Sequence, residues 1–176
     1  VLILLNSFFV QVFTTDGPSM QVTLHTGDKM LINKAGKSLS KIARKDYVPK
    51  RGEVVVFQKR TQSDGFNFDS GSEKTTYVVK RVFALPGERI VIKDGKVTVY
   101  NQETRDGFNP EGNQPWAKDL QEYKLDNIDI TLGTDELFVI GDNRPESVDS
   151  RANGPIKLED VVGNAFVAVT QNVRKL

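Results

Sequence analysis

Ser19 follows Gly17-Pro18 and leads into the apolar run Met20–Leu24, so its hydroxyl sits where a turn enters an apolar segment. A serine in that place can act as a nucleophile at a cleft edge if a base comes within reach. It can equally cap a turn through its own backbone. Lys80 lies in a second apolar run, Tyr77–Leu85. Strand alternation puts it on one face with Val78, Val82 and Ala84, while Arg81 shares the other face with Val79 and Phe83. If the Lys80 face is turned to the core, the ammonium is desolvated, its pKa falls, and a neutral amine becomes available as a general base. On an edge strand the same lysine reaches solvent along its aliphatic stem and does no chemistry. A third group, Gly141–Arg151, is a polar loop that leaves the apolar run Glu136–Ile140. Its short hydrogen-bonding side chains (Asp142, Asn143, Arg144, Ser147, Asp149, Arg151) suit a rigid support for reactive groups. Asp149 and Arg151 are spaced to pair, and Ser147 can hold a neighbouring donor. On an exposed turn such a pair contributes only about 0–1 kcal/mol.

Other chemistries are excluded by composition. The 176 residues contain no cysteine and one histidine, His25. Disulfides, thiol nucleophiles, Cys-zinc sites and iron–sulfur clusters are therefore ruled out, as is any multi-His metal site. A Ser-His-Asp triad would have to be built on His25, which follows Ser19 by six residues. Extended chain advances about 3.3 Å per residue, too far for direct contact, so His25 is predicted to be a surface residue. No Asp-rich loop of the magnesium or calcium type occurs, and neither metal nor cofactor is predicted. With 24 Lys+Arg against 23 Asp+Glu, nothing points to nucleic acid.

The elements that must position these residues are mostly strands. Apolar, β-branched runs occur at Met20–Leu24, Lys29–Ile32, Glu53–Phe57, Tyr77–Leu85, Arg89–Ile92, Lys96–Tyr100, Glu136–Ile140 and Val161–Val169, separated by Gly, Pro, Asn and Asp. Arg51–Phe57 reads as structural, with no reactive group beyond Glu53. Asp94-Gly95 joins two runs as a tight hairpin, and helices are predicted only around Ser38–Lys45 and Pro115–Lys124. Lys59–Thr75 and Glu103–Gln114 read as exposed loops. The predicted fold is mainly β: a core of residues 14–100 and 135–176, with 101–134 as a small inserted subdomain. Val1–Phe13 has ten apolar residues and no charge. A spanning helix needs about 20 apolar residues, so this stretch is expected to be the end of a truncated anchor or a buried first element.

Taken together, the blocks resemble bacterial type I signal peptidases. The resemblance is carried by Ser-Met-x-x-Thr-Leu from Ser19, Arg-Gly-Glu-Val-Val-Val-Phe from Arg51, Val-Lys-Arg-Val-x-x-Leu-Pro-Gly-Glu from Val79, and Gly-Asp-Asn-Arg…Ser-x-Asp-Ser-Arg from Gly141. It runs from about Gly17 to Gly163 and also suits Val1–Phe13 as the end of the family's membrane anchor. The resemblance implies a β-rich fold shared with self-cleaving repressor proteases, and a serine endopeptidase that cuts exported preproteins after small residues (Ala-x-Ala) outside the membrane. It implies Ser19 as nucleophile, Lys80 as general base, Ser147 as the serine that orients the lysine amine, and Asp149–Arg151 as a supporting ion pair. Asp142, Asn143 and Arg144 would scaffold the loop, and Met20, Leu24, Val78 and Val79 would line shallow apolar pockets. Two departures stand out. Gly17 occupies the place of a serine that often helps to bind the oxyanion, and Val22 replaces a common proline. A repressor-type protease is disfavoured by the apolar N-terminal stretch. A non-catalytic or narrowly dedicated accessory protein for pilin or surface-protein assembly is the other reading; a non-catalytic form would be expected to lose Ser19 or Lys80.

Overall fold

The computed structural model describes residues 9–44, 46–61, 74–112, 114–117, 127–169 and 173–176. Strands β1 (Val10–Thr14), β2 (Lys29–Asn33), β3 (Val54–Thr61), β4 (Lys74–Ala84), β8 (Glu136–Ile140), β9 (Ile156–Lys157) and β10 (Val161–Val169) form one sheet in the order β1-β2-β10-β3-β4-β8-β9, with β11 (Val173–Lys175) paired to β10. A smaller sheet has the order β6-β5-β7, from Lys96–Tyr100, Arg89–Lys93 and Ile128–Thr131. Every pairing in both is antiparallel.

Residue type accounts for these placements. Val54, Val55, Val56 and Phe57 are all buried, as a strand covered on both faces requires. In β5 and β6 only alternate residues (Ile90, Ile92, Val97, Val99) are buried, the pattern of a sheet with one dry face. Asp94 and Gly95 take φ of 50° and 77° between them, the positive values a two-residue hairpin needs. β4 is central, with Lys80 opposite Val55 on one side and Arg81 opposite Ile140 on the other. The polar loop that follows Ile140 therefore starts beside the Lys80–Arg81 pair.

Some expectations change. Met20–Leu24 is not a strand but a run of turns, with Gln21 N–H donating to Pro18 O at 2.9 Å and Leu24 N–H to Met20 O at 2.8 Å. Gly17-Pro18 starts the turn, and four-residue spacing then buries Met20 and Leu24 while leaving exposed Val22, which alternation would have placed on the same face as both. Val22 has φ of 93° there, a strained value for a β-branched residue. The first helix, α1, covers Ala35–Ala43, starting earlier than Ser38 and ending where Arg44 turns left-handed at φ 52°. Pro115–Ala117 is one short 3₁₀ turn, and the rest of that expected helix lies outside the described residues, as does Val1–Phe8. The expected Lys59–Thr75 loop is narrowed by β3 and β4, and its middle is likewise outside them. Among the described residues no helix is long and apolar enough to cross a membrane.

Candidate active site

Three segments converge on Lys80: β4 itself, the turn around Ser19, and the loop after β8. The Lys80 side chain is almost wholly buried, because its face of β4 is packed under that turn and loop. Its Nζ lies 2.7 Å from Ser19 Oγ and donates to Val79 O at 2.9 Å. Burial lowers the amine pKa to about 8; the charges of Asp149 and Asp142 pull it back upward, and Arg151 lowers it further. Snorkelling to solvent is thus excluded by geometry.

The Ser19 turn is clipped from outside by the loop. Asn143 N–H donates to Ser19 O at 3.1 Å, and its side-chain amide donates to Pro18 O at 3.1 Å. Behind the clip, Arg81 and Asp142 form a buried two-pronged pair, with Nε to Oδ1 at 2.9 Å and Nη2 to Oδ2 at 2.6 Å. Thr23 donates to the same carboxylate, which ties the far end of the turn to the loop. The Arg81 guanidinium also donates to Gly52 O at 2.7 Å and stacks over Trp116 at 4.4 Å. Both cations of the Lys80-Arg81 dipeptide are therefore inside, and among the described residues Arg81 has a carboxylate partner in hydrogen-bond contact and Lys80 has none.

Asp149 organises the other half of the loop. Its carboxylate accepts from Gly141 N–H at 2.9 Å, Ser147 Oγ at 2.6 Å and Arg151 Nε at 2.7 Å, and it caps the short helix α2 (Ser150–Asn153). The Asp149 and Arg151 side chains are 0% and 4% exposed, so the exposed-turn reading of this pair does not hold. Arg151 Nη2 donates to Arg144 O at 2.8 Å. Arg144 in turn pairs with Glu111 and lies 5.0 Å over the Phe83 ring. Ser147 is held by Asp149, whereas the Lys80 amine has Ser19 Oγ and Val79 O as its hydrogen-bond partners.

Gly141 makes this crowding possible. A Cβ there would stand 2.1 Å from Ser147 Oγ and 2.5 Å from Ser19 O. Gly141→Ala is expected to lower turnover at the Ser19–Lys80 site at least tenfold and to destabilise the fold by about 1–3 kcal/mol, through overpacking at both contacts. Steady-state kinetics with a urea titration would check it, and a neutral result would mean that the turn and the loop can separate without loss.

A cleft of about 300 Å³ opens beside Ser19 and Lys80. Its apolar walls are Val78 and Val79 together with Phe13, Met30, Val56 and Tyr77. Met20 and Leu24, the other expected pocket residues, lie in the core at 2% and 1% exposure and support the turn from beneath. Strand pairing hides the extra wall residues from a sequence reading: Phe13 reaches the cleft only because β1 folds onto β2. Arg81 was more accessible to inference, since a second cation inside an apolar strand calls for a buried anion. Gly17 has φ of 90°, a left-handed value at which a serine would be strained, so the missing hydroxyl has a backbone counterpart. His25 is 59% exposed and faces Asp28, far from any role here.

The family described as "Signal peptidase, peptidase S26" matches residues 1–170. The chain belongs to this family. Among its relatives, signal peptidase I P of Bacillus subtilis subsp. natto is 32% identical over 165 residues, covering 91% of this chain and 77% of that protein. Signal peptidase I of Bacillus caldolyticus is 29% identical over 168 residues, covering 90% and 79%. A crystal structure of a signal peptidase I from Enterococcus faecalis V583 shares 22% identity with a TM-score of 0.44, covering 66% of this chain and 95% of that one. Membership in the peptidase S26 family makes the chain a peptide-bond hydrolase of the signal peptidase class. The repressor-type reading is set aside.

Proposed function

We propose that this S26 peptidase removes signal peptides from exported preproteins with a Ser19–Lys80 dyad, at the outer face of a membrane. The observation that carries the reading is the 2.7 Å approach of a buried lysine amine to Ser19 Oγ, with the amine pKa lowered to about 8. A neutral Lys80 accepts the Ser19 proton as Oγ attacks the scissile carbonyl carbon. The Ser19 N–H, which has no protein acceptor among the described residues, is the donor available to the resulting oxyanion. Such a donor contributes about 3–4 kcal/mol in other hydrolases. Protonated Lys80 then hands its proton to the leaving amine, which departs as the new N-terminus and leaves an ester on Ser19. Lys80 next takes a proton from water, the hydroxide attacks the ester, and Ser19 recovers its hydrogen.

The remaining residues serve as positioning groups in this reading. Ser147 acts through Asp149 on the loop beside the amine, and Asp149–Arg151, Asp142, Asn143 and Arg144 hold that loop against the Ser19 turn. An extended substrate lies between the Phe13–Asp16 and Thr76–Lys80 segments that border the cleft. Its walls leave room for small side chains, which suits cleavage after Ala-x-Ala. Val10–Phe13 belong to β1, so the bilayer enters through the uncharged, apolar Val1–Phe9 stretch that precedes that strand. No cofactor has a part in this scheme.

Incubating the full chain in detergent with an Ala-x-Ala preprotein, followed by sequencing of the new N-terminus, tests the activity. kcat/KM is expected to rise with pH and level off above about 8, because only the neutral amine can accept the Ser19 proton. A profile that falls through that range would remove Lys80 from the base role.

A further inference from the structure

The helix α1 is amphipathic in the reverse of the usual sense. At about 100° per residue, Ala35, Leu39, Ile42 and Ala43 share one side, while Lys37, Ser40, Lys41 and Arg44 share the other. A surface helix ordinarily buries its apolar stripe. Here no residue of the helix is buried, and Leu39 and Ile42 are 57% and 77% exposed. Of the charged side, Lys37 turns inward, its Nζ donating to Leu158 O at 2.7 Å and Glu159 O at 3.2 Å, while Lys41 and Arg44 stay exposed at the border of the apolar stripe. This orientation is set by packing. A Cβ on Gly36 would come within 2.4 Å of the Tyr47 ring, and Tyr47 is tied to Asn164 by its hydroxyl at 3.1 Å.

We infer that α1 is an interfacial helix that lays Leu39 and Ile42 into the headgroup region of an anionic bilayer. Charge and continuity favour a lipid surface over a protein partner. From Lys34 to Arg44 the chain has four cations and no acid. The helix leaves the sheet just after Asn33, which pairs with Val10, and Lys34 N–H donates to Phe9 O at 2.8 Å. Phe9, the last residue of an apolar stretch in the sequence, thus enters β1 at the end of the β1–β2 pair from which α1 departs. An exposed apolar stripe with a cationic border lies at the end of the sheet where β1 begins, as a helix lying in a membrane surface requires. The inference deepens the membrane part of the proposed function and rests on it.

The chain has no cysteine, so Ile42→Cys accepts a single nitrobenzoxadiazole label, with Glu103→Cys as an exposed control in the turn after β6. The full-length protein is reconstituted into vesicles of phosphatidylcholine, with or without phosphatidylglycerol, that carry an acyl-chain nitroxide. The label at 42 is expected to be quenched several-fold more than the label at 103, and more strongly in anionic vesicles. Lys41→Glu with Arg44→Glu should abolish the anionic increment. Quenching at 42 no greater than at 103, or equal in the two lipids, overturns the inference. So does energy transfer between labelled chains that vanishes on dilution with unlabelled chain, which would assign the face to a second copy. Shielding of the label only on addition of preprotein would assign it to substrate and also overturn it. Leu39→Ser with Ile42→Ser should keep cleavage of a short peptide in detergent and lose several-fold of preprotein cleavage in vesicles. Absence of detergent cleavage by the parent chain would count against the peptidase reading, while the quenching result would stand by itself.

Discussion

Lys80→Met is expected to abolish cleavage, by about 10³-fold or more, and at the same time to make the protein more stable at neutral pH. The loss of activity follows from removing the only amine within reach of Ser19 Oγ among the described residues. The gain follows from burial. A pKa lowered from 10.5 to about 8 means that the folded state holds the protonated amine at a disadvantage of about 3 kcal/mol. Methionine fills a similar volume without a charge, and the unpaired Val79 carbonyl it leaves offsets part of the gain, so about 1–2 kcal/mol is expected. The sign with pH is specific. Below pH 8 both states carry the proton and the native state bears the full penalty. Between 8 and 10.5 the native amine is already neutral and the penalty fades, so the advantage of the variant should vanish inside that range and become a small deficit by pH 10.5, where only the unpaired carbonyl remains. Urea unfolding at neutral and alkaline pH, beside a cleavage assay, reads both halves. A variant less stable than the parent at neutral pH would show that burial is not what lowers the pKa. Ser19→Ala should match the loss of activity with no such pH-dependent gain.

The second large effect belongs to Asp149. Asp149→Ala is expected to cost about 3–5 kcal/mol, because it strands the buried Arg151 guanidinium and frees the Gly141 N–H and the Ser147 hydroxyl. Burial alone would raise the Asp149 pKa, but the hydrogen bond and charge of Arg151, with the Gly141 and Ser147 donors, outweigh it and hold it below 3.8. Its contribution is therefore present in full above pH 3.8 and is lost as pH falls through the native value. Asp149→Asn keeps the shape and removes a charge that raises the Lys80 pKa, so the midpoint of the pH–rate profile should move below 8. An unchanged midpoint in a folded Asn variant would leave Asp149 with a structural part alone.

How far these sites were legible in the sequence depends on how local each one is. The Ser19 turn signal, the apolar face of Lys80 and the Asp149–Arg151 spacing are all short-range patterns. The 61-residue separation of Arg81 from Asp142, and of Ser19 from Lys80, is not. Nor could spacing show that Glu111 and Trp116, in a segment read as loop and insertion, brace Arg144 and Arg81. The misread element, Met20–Leu24, failed because a run of apolar residues looks the same whether alternation or a chain of turns buries it.

By itself the sequence determined the β-rich class, the hairpin at Asp94-Gly95, and a chemistry confined to serine, lysine and carboxylates. Those follow from backbone preferences and side-chain inventory, which are properties of single residues and near neighbours. The tertiary structure alone decided that Lys80 is dry and beside Ser19, that both members of the Lys80-Arg81 pair are inside, and that α1 turns its apolar side outward. Desolvation and contact are set by what packs from distant parts of the chain, and the physical effect that lowers the Lys80 pKa exists only once that packing has removed the water.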